Sequence, residues 1–120
     1  MKINSLYVAV FDMDRAVSFY EKNIFRQKVQ SKTDRFSVFK IDGFLFCLFS
    51  PKSINETHKI GNNCIPTIEV DDVKSFYKGL KQKDIEIVLE LHNVNGYELF
   101  QLKDSEQNVI EFYQNHQNDV

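Results

Sequence analysis

The sequence has too few cysteines and too short an apolar run for several broad classes of protein. Its two cysteines, Cys47 and Cys64, form neither a CxxC motif nor a disulfide framework. We therefore expect free thiols in core or cleft positions and a reducing, cytoplasmic environment. The longest apolar run, Phe44 to Phe49, is far below the roughly 20 residues that span a bilayer, so we expect no membrane partner.

The chain also lacks an excess of charge of one sign. It has 15 basic and 17 acidic side chains, which gives a net charge of −2. Nucleic-acid binding is typically associated with a clustered basic face, so no nucleic-acid partner is expected. The first residues lead straight into strand-like sequence without the pattern of a secretory signal, which also favours the cytoplasm.

A repeat at half the chain length is the strongest positive feature. Val-Phe-Asp-Met at residues 10–13 and Ser-Phe-Tyr at 18–20 are echoed by Val-Asp-Asp-Val at 70–73 and Ser-Phe-Tyr at 75–77. A repeat of this kind indicates duplication. A chain of 120 residues is too short for two independent domains, so we expect a single domain. Its predicted parts are module one at about 1–51, a polar linker at about 52–62 and module two at about 63–115.

Hydrophobic periodicity predicts the same element order in both modules. Leu6 and Val8 alternate with Ser5 and Tyr7 in the first strand, as in a sheet with one face packed on a helix. Asp12 or Asp14 is expected to cap the first helix, and Asp72 the second. The fold class is α+β: two tandem βαβββ modules forming a curved mixed sheet around a cleft, with the helices on the outer face. The predicted strands lie near residues 3–10, 27–32, 36–41, 44–50, 64–70, 85–91, 97–102 and 108–114.

This order, the repeated phrase and Asp-Ser-Glu-Gln-Asn-Val-Ile-Glu-Phe at 104–112 together resemble the vicinal oxygen chelate superfamily. That superfamily contains glyoxalase I, bleomycin-resistance proteins, fosfomycin-resistance transferases and extradiol dioxygenases. Two phrases depart from its habit. The common Leu-Gly after the first helix is matched to Ile24-Phe25, and the usual Asp-Pro-x-Gly-Asn turn is Asp-Ser-Glu-Gln-Asn at 104–108.

The resemblance implies that metal ligands, where present, come from the first and last strands of each module. The matching positions are Ser5, Cys47, Ile65 and Glu111. Of these four, only the glutamate is a standard ligand for a hard divalent ion. We therefore expect that the protein binds no metal and no other cofactor, and we predict no catalytic residue. The alternative is a metal-dependent lyase, isomerase or dioxygenase in which shifted residues join Glu111, and the candidates are His92, Glu98 and Cys47.

The predicted cleft has a mostly apolar wall with a few polar groups, which is typical of a small-molecule pocket. Glu111 could attract a cationic ligand, act as a base, or simply be hydrogen-bonded to Ser5, Tyr7 or water. The resemblance to bleomycin-resistance proteins favours stoichiometric binding of an apolar or cationic ligand by a homodimer. A third hypothesis is that the protein's own side chains fill the cleft and that the domain is only an interaction module. His58, His92 and His116 are expected to be solvated. The predicted ligand cleft consists of Ser5, Tyr7, Cys47, Phe49, Ile65, Thr67, Glu69, Glu111 and Tyr113.

Overall fold

A computed structural model of the chain describes residues 1–52 and 64–117. The chain divides into two compact units, Met1–Ile60 and Gly61–Val120. Each unit holds one α-helix and a four-stranded mixed sheet. The predicted α+β class with two βαβββ modules is confirmed, and the strands form two separate four-stranded sheets. The predicted linker at 52–62 lies, apart from Lys52, outside the described residues.

The elements of the first unit are β1 (Ser5–Ala9), α1 (Met13–Phe19), a π-helical turn (Tyr20–Ile24), β2 (Ser31–Lys32), β3 (Phe36–Ile41) and β4 (Phe44–Phe49). The strand order is β1-β4-β3-β2, in which β1 runs parallel to β4 and the other neighbours are antiparallel. The helix covers one sheet face, and Val10, Ala16 and Leu48 are fully buried there. Strand β4 is buried on both faces at Phe46, Cys47 and Leu48.

The end of the first helix contains an extra residue. Phe25 N–H donates to the carbonyl of Tyr20 at 2.9 Å, five residues back, which is the hydrogen bond of a π-turn. The ring of Phe25 then packs 5.0 Å from Phe39 and 5.1 Å from Phe46. The left-handed residue that follows is Arg26, with φ 53°. Glycine suits such a backbone best, so Phe25-Arg26, rather than the predicted Ile24-Phe25, occupies the place of Leu-Gly.

The elements of the second unit are β5 (Thr67–Glu69), α2 (Val73–Lys81), β6 (Ile87–Val94), β7 (Tyr97–Lys103) and β8 (Val109–Asn115). The strand order is β5-β8-β7-β6, with β5 parallel to β8. The helix begins at the predicted cap, because the Asp72 carboxylate accepts the Ser75 N–H at 3.1 Å, as Asp12 accepts the Arg15 N–H in the first unit at 3.0 Å. Phe76 packs on Phe112 with ring centroids 4.8 Å apart. Neither described α-helix is long and apolar enough to cross a membrane.

Three strand predictions were wrong in extent. The strand predicted at 27–32 is only Ser31–Lys32. Arg26 has a left-handed backbone, and the Val29 N–H donates to the Glu21 carboxylate instead of to a carbonyl of a neighbouring strand. The strand predicted at 64–70 is only Thr67–Glu69, since Pro66 has no N–H to donate. The strand predicted at 85–91 continues to Val94.

Candidate functional site

In the first unit, the predicted site residues share the sheet face away from the helix. Tyr7 is in register with Cys47, and its ring lies 5.9 Å from Phe49 and 5.0 Å from Phe36. Tyr7 is 59% exposed. Ser5 lies two residues earlier and pairs with Leu45. Phe36 was not predicted for this face, although the alternation of β3 places it there.

The two thiols differ in environment. Cys47 is 2% exposed, and burial raises the pKa of its thiol. A thiol in this state is a weak nucleophile and a weak metal ligand, because both activities need the thiolate. Cys64 is free and exposed, so a position in the core is wrong for this cysteine.

The second unit contains a hollow of about 280 Å³ on the sheet face away from α2. Its walls are mainly aliphatic and aromatic, and its main polar groups come from neighbouring strands. Three of its residues were predicted, and three come from β6 and β7. The lining residues are Thr67, Val94, Tyr97, Leu99, Glu111 and Tyr113.

Glu111 is held between two neighbouring strands. Thr67 and Gln101 are its register partners on β5 and β7. Thr67 Oγ1 donates to Glu111 Oε2 at 2.7 Å, and Gln101 Nε2 donates to Oε1 at 3.0 Å. Both donors are uncharged, so they orient the carboxylate without neutralising its charge. Within the second unit, Thr67 and Gln101 are therefore two donors to Glu111 that the sequence had not suggested.

Tyr113 lies beside this carboxylate and faces a second one. It pairs with Glu69 on β5, and its ring meets Tyr97 edge to face at 5.9 Å. Burial raises the pKa of the Tyr113 phenol, and the negative charges of Glu69 and Glu111 add to that effect. The phenol therefore stays protonated and can donate a hydrogen bond to a ligand.

Ile65 and Glu98 are two further candidates from the sequence. Ile65 precedes β5 rather than belonging to it. Glu98 belongs to the helix side of the sheet, because Leu99 on the hollow is its immediate neighbour in β7. Its carboxylate accepts from His116 Nε2 at 3.0 Å and lies 3.9 Å from Lys74 Nζ. This geometry keeps Glu98 from coordinating a metal together with Glu111.

The histidines depart in part from the prediction that all three are solvated. His116 is engaged with Glu98. His92 pairs with Leu99 and so lies on the face of the hollow, contrary to prediction, because β6 extends past it. Its Nδ1 lies 2.8 Å from the carbonyl oxygen of Glu90. His58 lies outside the described residues.

The residues at the expected positions do not form the divalent metal site found in the metal-dependent members of the vicinal oxygen chelate superfamily. Within residues 1–52 and 64–117, no three His, Cys, Asp or Glu side chains come together in a way that could hold a metal ion. Ser5 and Ile65 are poor donors, and the Cys47 thiol is buried with a raised pKa. Both carboxylate oxygens of Glu111 already accept hydrogen bonds. No step of the chemistry is therefore assigned to a metal.

The fold and this site define a duplicated βαβββ protein with a ligand-sized hollow. The chain belongs to the Glyoxalase/Bleomycin resistance protein/Dioxygenase superfamily, which it matches over residues 2–112. Comparison with curated protein sequences gave no match.

Solved structures of low sequence identity share the fold. A lactoylglutathione lyase from Agrobacterium tumefaciens is 20% identical with a TM-score of 0.78, over 94% of this chain and 92% of that one. A glyoxalase/bleomycin resistance protein/dioxygenase from Nocardioides is 15% identical with a TM-score of 0.77, over 98% and 85%. A glyoxalase-related enzyme from Fulvimarina pelagi is 9% identical with a TM-score of 0.78, over 95% and 88%.

Proposed function

We propose that this protein binds a small molecule without a metal, and that the ligand combines an apolar or aromatic body with a cationic group. The observation that carries the proposal is the hollow of the second unit, in which an ionisable carboxylate, Glu111, is oriented by two uncharged donors. The predicted cleft between the two modules stays a prediction, and the proposal depends only on the hollow.

The walls of the hollow suit the body of such a ligand. Tyr97 and Tyr113 present two rings set edge to face, and Val94 and Leu99 complete an aliphatic surface. A cation near a tyrosine ring gains about 0.5–2 kcal/mol from the ring quadrupole. Its charge is matched by Glu111 and by Glu69, whose negative charge reaches Tyr113.

A matched pair of probes tests this proposal. Benzyltrimethylammonium carries an aromatic ring and a fixed positive charge, whereas benzyl alcohol carries the ring alone. We expect the cation to raise the melting temperature by mass action and to change the emission of the tyrosines, which report cleanly because the chain has no tryptophan. Equal effects of both probes would contradict the cationic part of the proposal. If neither probe had an effect, the result would contradict a ligand site in this hollow.

The alternative function is a metal-dependent lyase, isomerase or dioxygenase of the same superfamily. It has less support, because the described residues around Glu111 do not supply a ligand set. Metal analysis of the purified protein separates the two functions. Stoichiometric Ni, Zn, Fe or Mn, with activity lost on chelation, would favour the enzyme.

We further propose that the chain acts as a cytoplasmic homodimer. The free thiols support the compartment. Residues 1–60 carry ten basic and six acidic side chains, whereas residues 61–120 carry five and eleven. This asymmetry favours pairing of the basic unit of one copy with the acidic unit of the other. Light scattering should then show a dimer that dissociates as salt increases, and a monomer at low salt would contradict this arrangement.

A further inference from the structure

The first unit carries a second hollow, of about 320 Å³, at the end of its first helix. It lies at the π-turn and the residues that follow it, in the unit that does not contain the ligand site. Three of the five side chains that line it are cationic. The lining residues are Glu21, Lys22, Arg26, Gln27 and Lys28.

We propose that this hollow binds the phosphate group of a small molecule. Three positive charges face one carboxylate, and the unit to which they belong has a net charge of +4 from its ten basic and six acidic side chains. Arginine offers a planar fork that can bind two phosphate oxygens, and lysines add point charges around it. Clustered cations of this kind also raise the local concentration of an anionic ligand.

The backbone supports a functional role for Arg26. It holds φ 53°, a left-handed conformation in which a side chain costs free energy and glycine does not. Strained non-glycine residues of this kind are concentrated at functional sites, as are π-turns within helices. Here the π-turn of Tyr20–Ile24 and the strained arginine occur together, directly beside the cationic hollow.

Two hydrogen bonds fix the segment that carries the cations. Glu21 Oε2 accepts the Val29 N–H at 2.9 Å, which ties the segment back to the helix. Gln27 Nε2 donates to the carbonyl of Lys40 at 3.2 Å, which ties it to β3. Because these two bonds hold the backbone that carries Arg26 and Lys28, less backbone entropy is lost when an anion binds.

Arg26→Gly tests the proposal, because it separates folding from binding. Removal of the strain should leave the melting temperature unchanged or higher, whereas phosphate affinity should fall about tenfold with the loss of a charge-assisted pair. Arg35→Gln is the matched control: Arg35 is exposed in the same unit and does not line the hollow. The affinity of the Arg35→Gln variant for phosphate should stay within about twofold of the affinity of the parent protein.

The titration follows amide chemical shifts of the full chain at constant ionic strength, with inorganic phosphate and phenyl phosphate as probes. The expected shifts cluster at residues 21–28, and tighter binding of phenyl phosphate identifies a phosphorylated molecule rather than free phosphate as the ligand. If Arg26→Gly and Arg35→Gln lost phosphate affinity equally, phosphate binding would reflect only general attraction by a basic unit and not a site in this hollow. Absence of binding, together with a lower melting temperature of Arg26→Gly, would show that the cations only stabilise the helix end.

Discussion

Thr67 and Glu111 meet across β5 and β8, where Thr67 Oγ1 donates to Glu111 Oε2 at 2.7 Å. Because the donor is a hydroxyl rather than an ammonium or a guanidinium, Glu111 keeps its negative charge available to a ligand. Gln101 does the same for the other oxygen. The Glu111 carboxylate is therefore an acceptor whose orientation is fixed by Thr67 and Gln101 but whose charge they do not neutralise.

Thr67→Val tests how much this contact stabilises the fold. The substitution keeps the β-branched shape that suits a strand and removes the donor. We expect the free energy of unfolding to fall by about 1 kcal/mol, the usual net contribution of one hydrogen bond. Urea denaturation measures the change, with Thr67→Ser as the control that keeps the hydroxyl. A valine variant as stable as the parent would show that the contact contributes nothing.

The two thiols should react at different rates. Cys64 is exposed, whereas Cys47 is buried and has a raised pKa. Iodoacetamide at mildly alkaline pH should therefore modify Cys64 in the native protein and reach Cys47 only as the protein unfolds. In Cys64→Ser the fast reaction should disappear. Rapid modification of both thiols in the native state would contradict the buried position of Cys47.

Tyr113 should titrate above the usual range of tyrosine. Burial, Glu69 and Glu111 raise its pKa, so above about pH 10 the folded chain holds this proton more tightly than the unfolded chain. The resulting stability is fully present below that pH and is lost as pH rises through the folded pKa. Glu69→Gln should lower the pKa of Tyr113 in an ultraviolet titration, and Glu90→Gln, which removes an exposed carboxylate from β6, should leave it unchanged. A Glu69→Gln curve identical to the parent would exclude the charge effect.

Gln107→Gly should stabilise the protein. Gln107 has φ 74°, in the turn where the superfamily commonly has glycine. Relief of the left-handed strain is expected to add about 1 kcal/mol and to raise the melting temperature by about 4 °C. Gln82→Gly is the control, because Gln82 has φ −78° at the end of α2, where glycine brings no relief. A lower melting temperature for Gln107→Gly would show that its side chain has a structural role.

Much of the fold could be predicted because its signals are local. The two-residue period of strands placed Thr67, Glu111 and Tyr113 on one face, and that face now lines the hollow. Asp72 was identified as the cap of α2, and Asp12 was one of the two candidates, with Asp14, for the cap of α1. Asp-Gly and Asn-Gly are typical of tight hairpin turns, and Asp42-Gly43 and Asn95-Gly96 have positive φ at both positions.

What the sequence could not supply depends on register and on insertions. Gln101 meets Glu111 only because the ladder between β7 and β8 pairs them, and no local pattern fixes that pairing. Tyr97 and Leu99 were missed because the site was assigned only to the first and last strands of each module. The π-turn has no pattern of its own in the sequence, so the left-handed position was placed one residue too early, before Arg26.

The most direct test of the ligand site is the affinity of Glu111→Gln for benzyltrimethylammonium and for benzyl alcohol, measured by calorimetry. Asp84→Asn is the control, since it removes an exposed charge from the same unit without touching the hollow. We predict that Glu111→Gln binds the cation about tenfold more weakly, as expected when a charged acceptor becomes neutral, and binds the alcohol as before. An unchanged affinity for the cation, or an equal loss for both probes, would contradict the role proposed for Glu111.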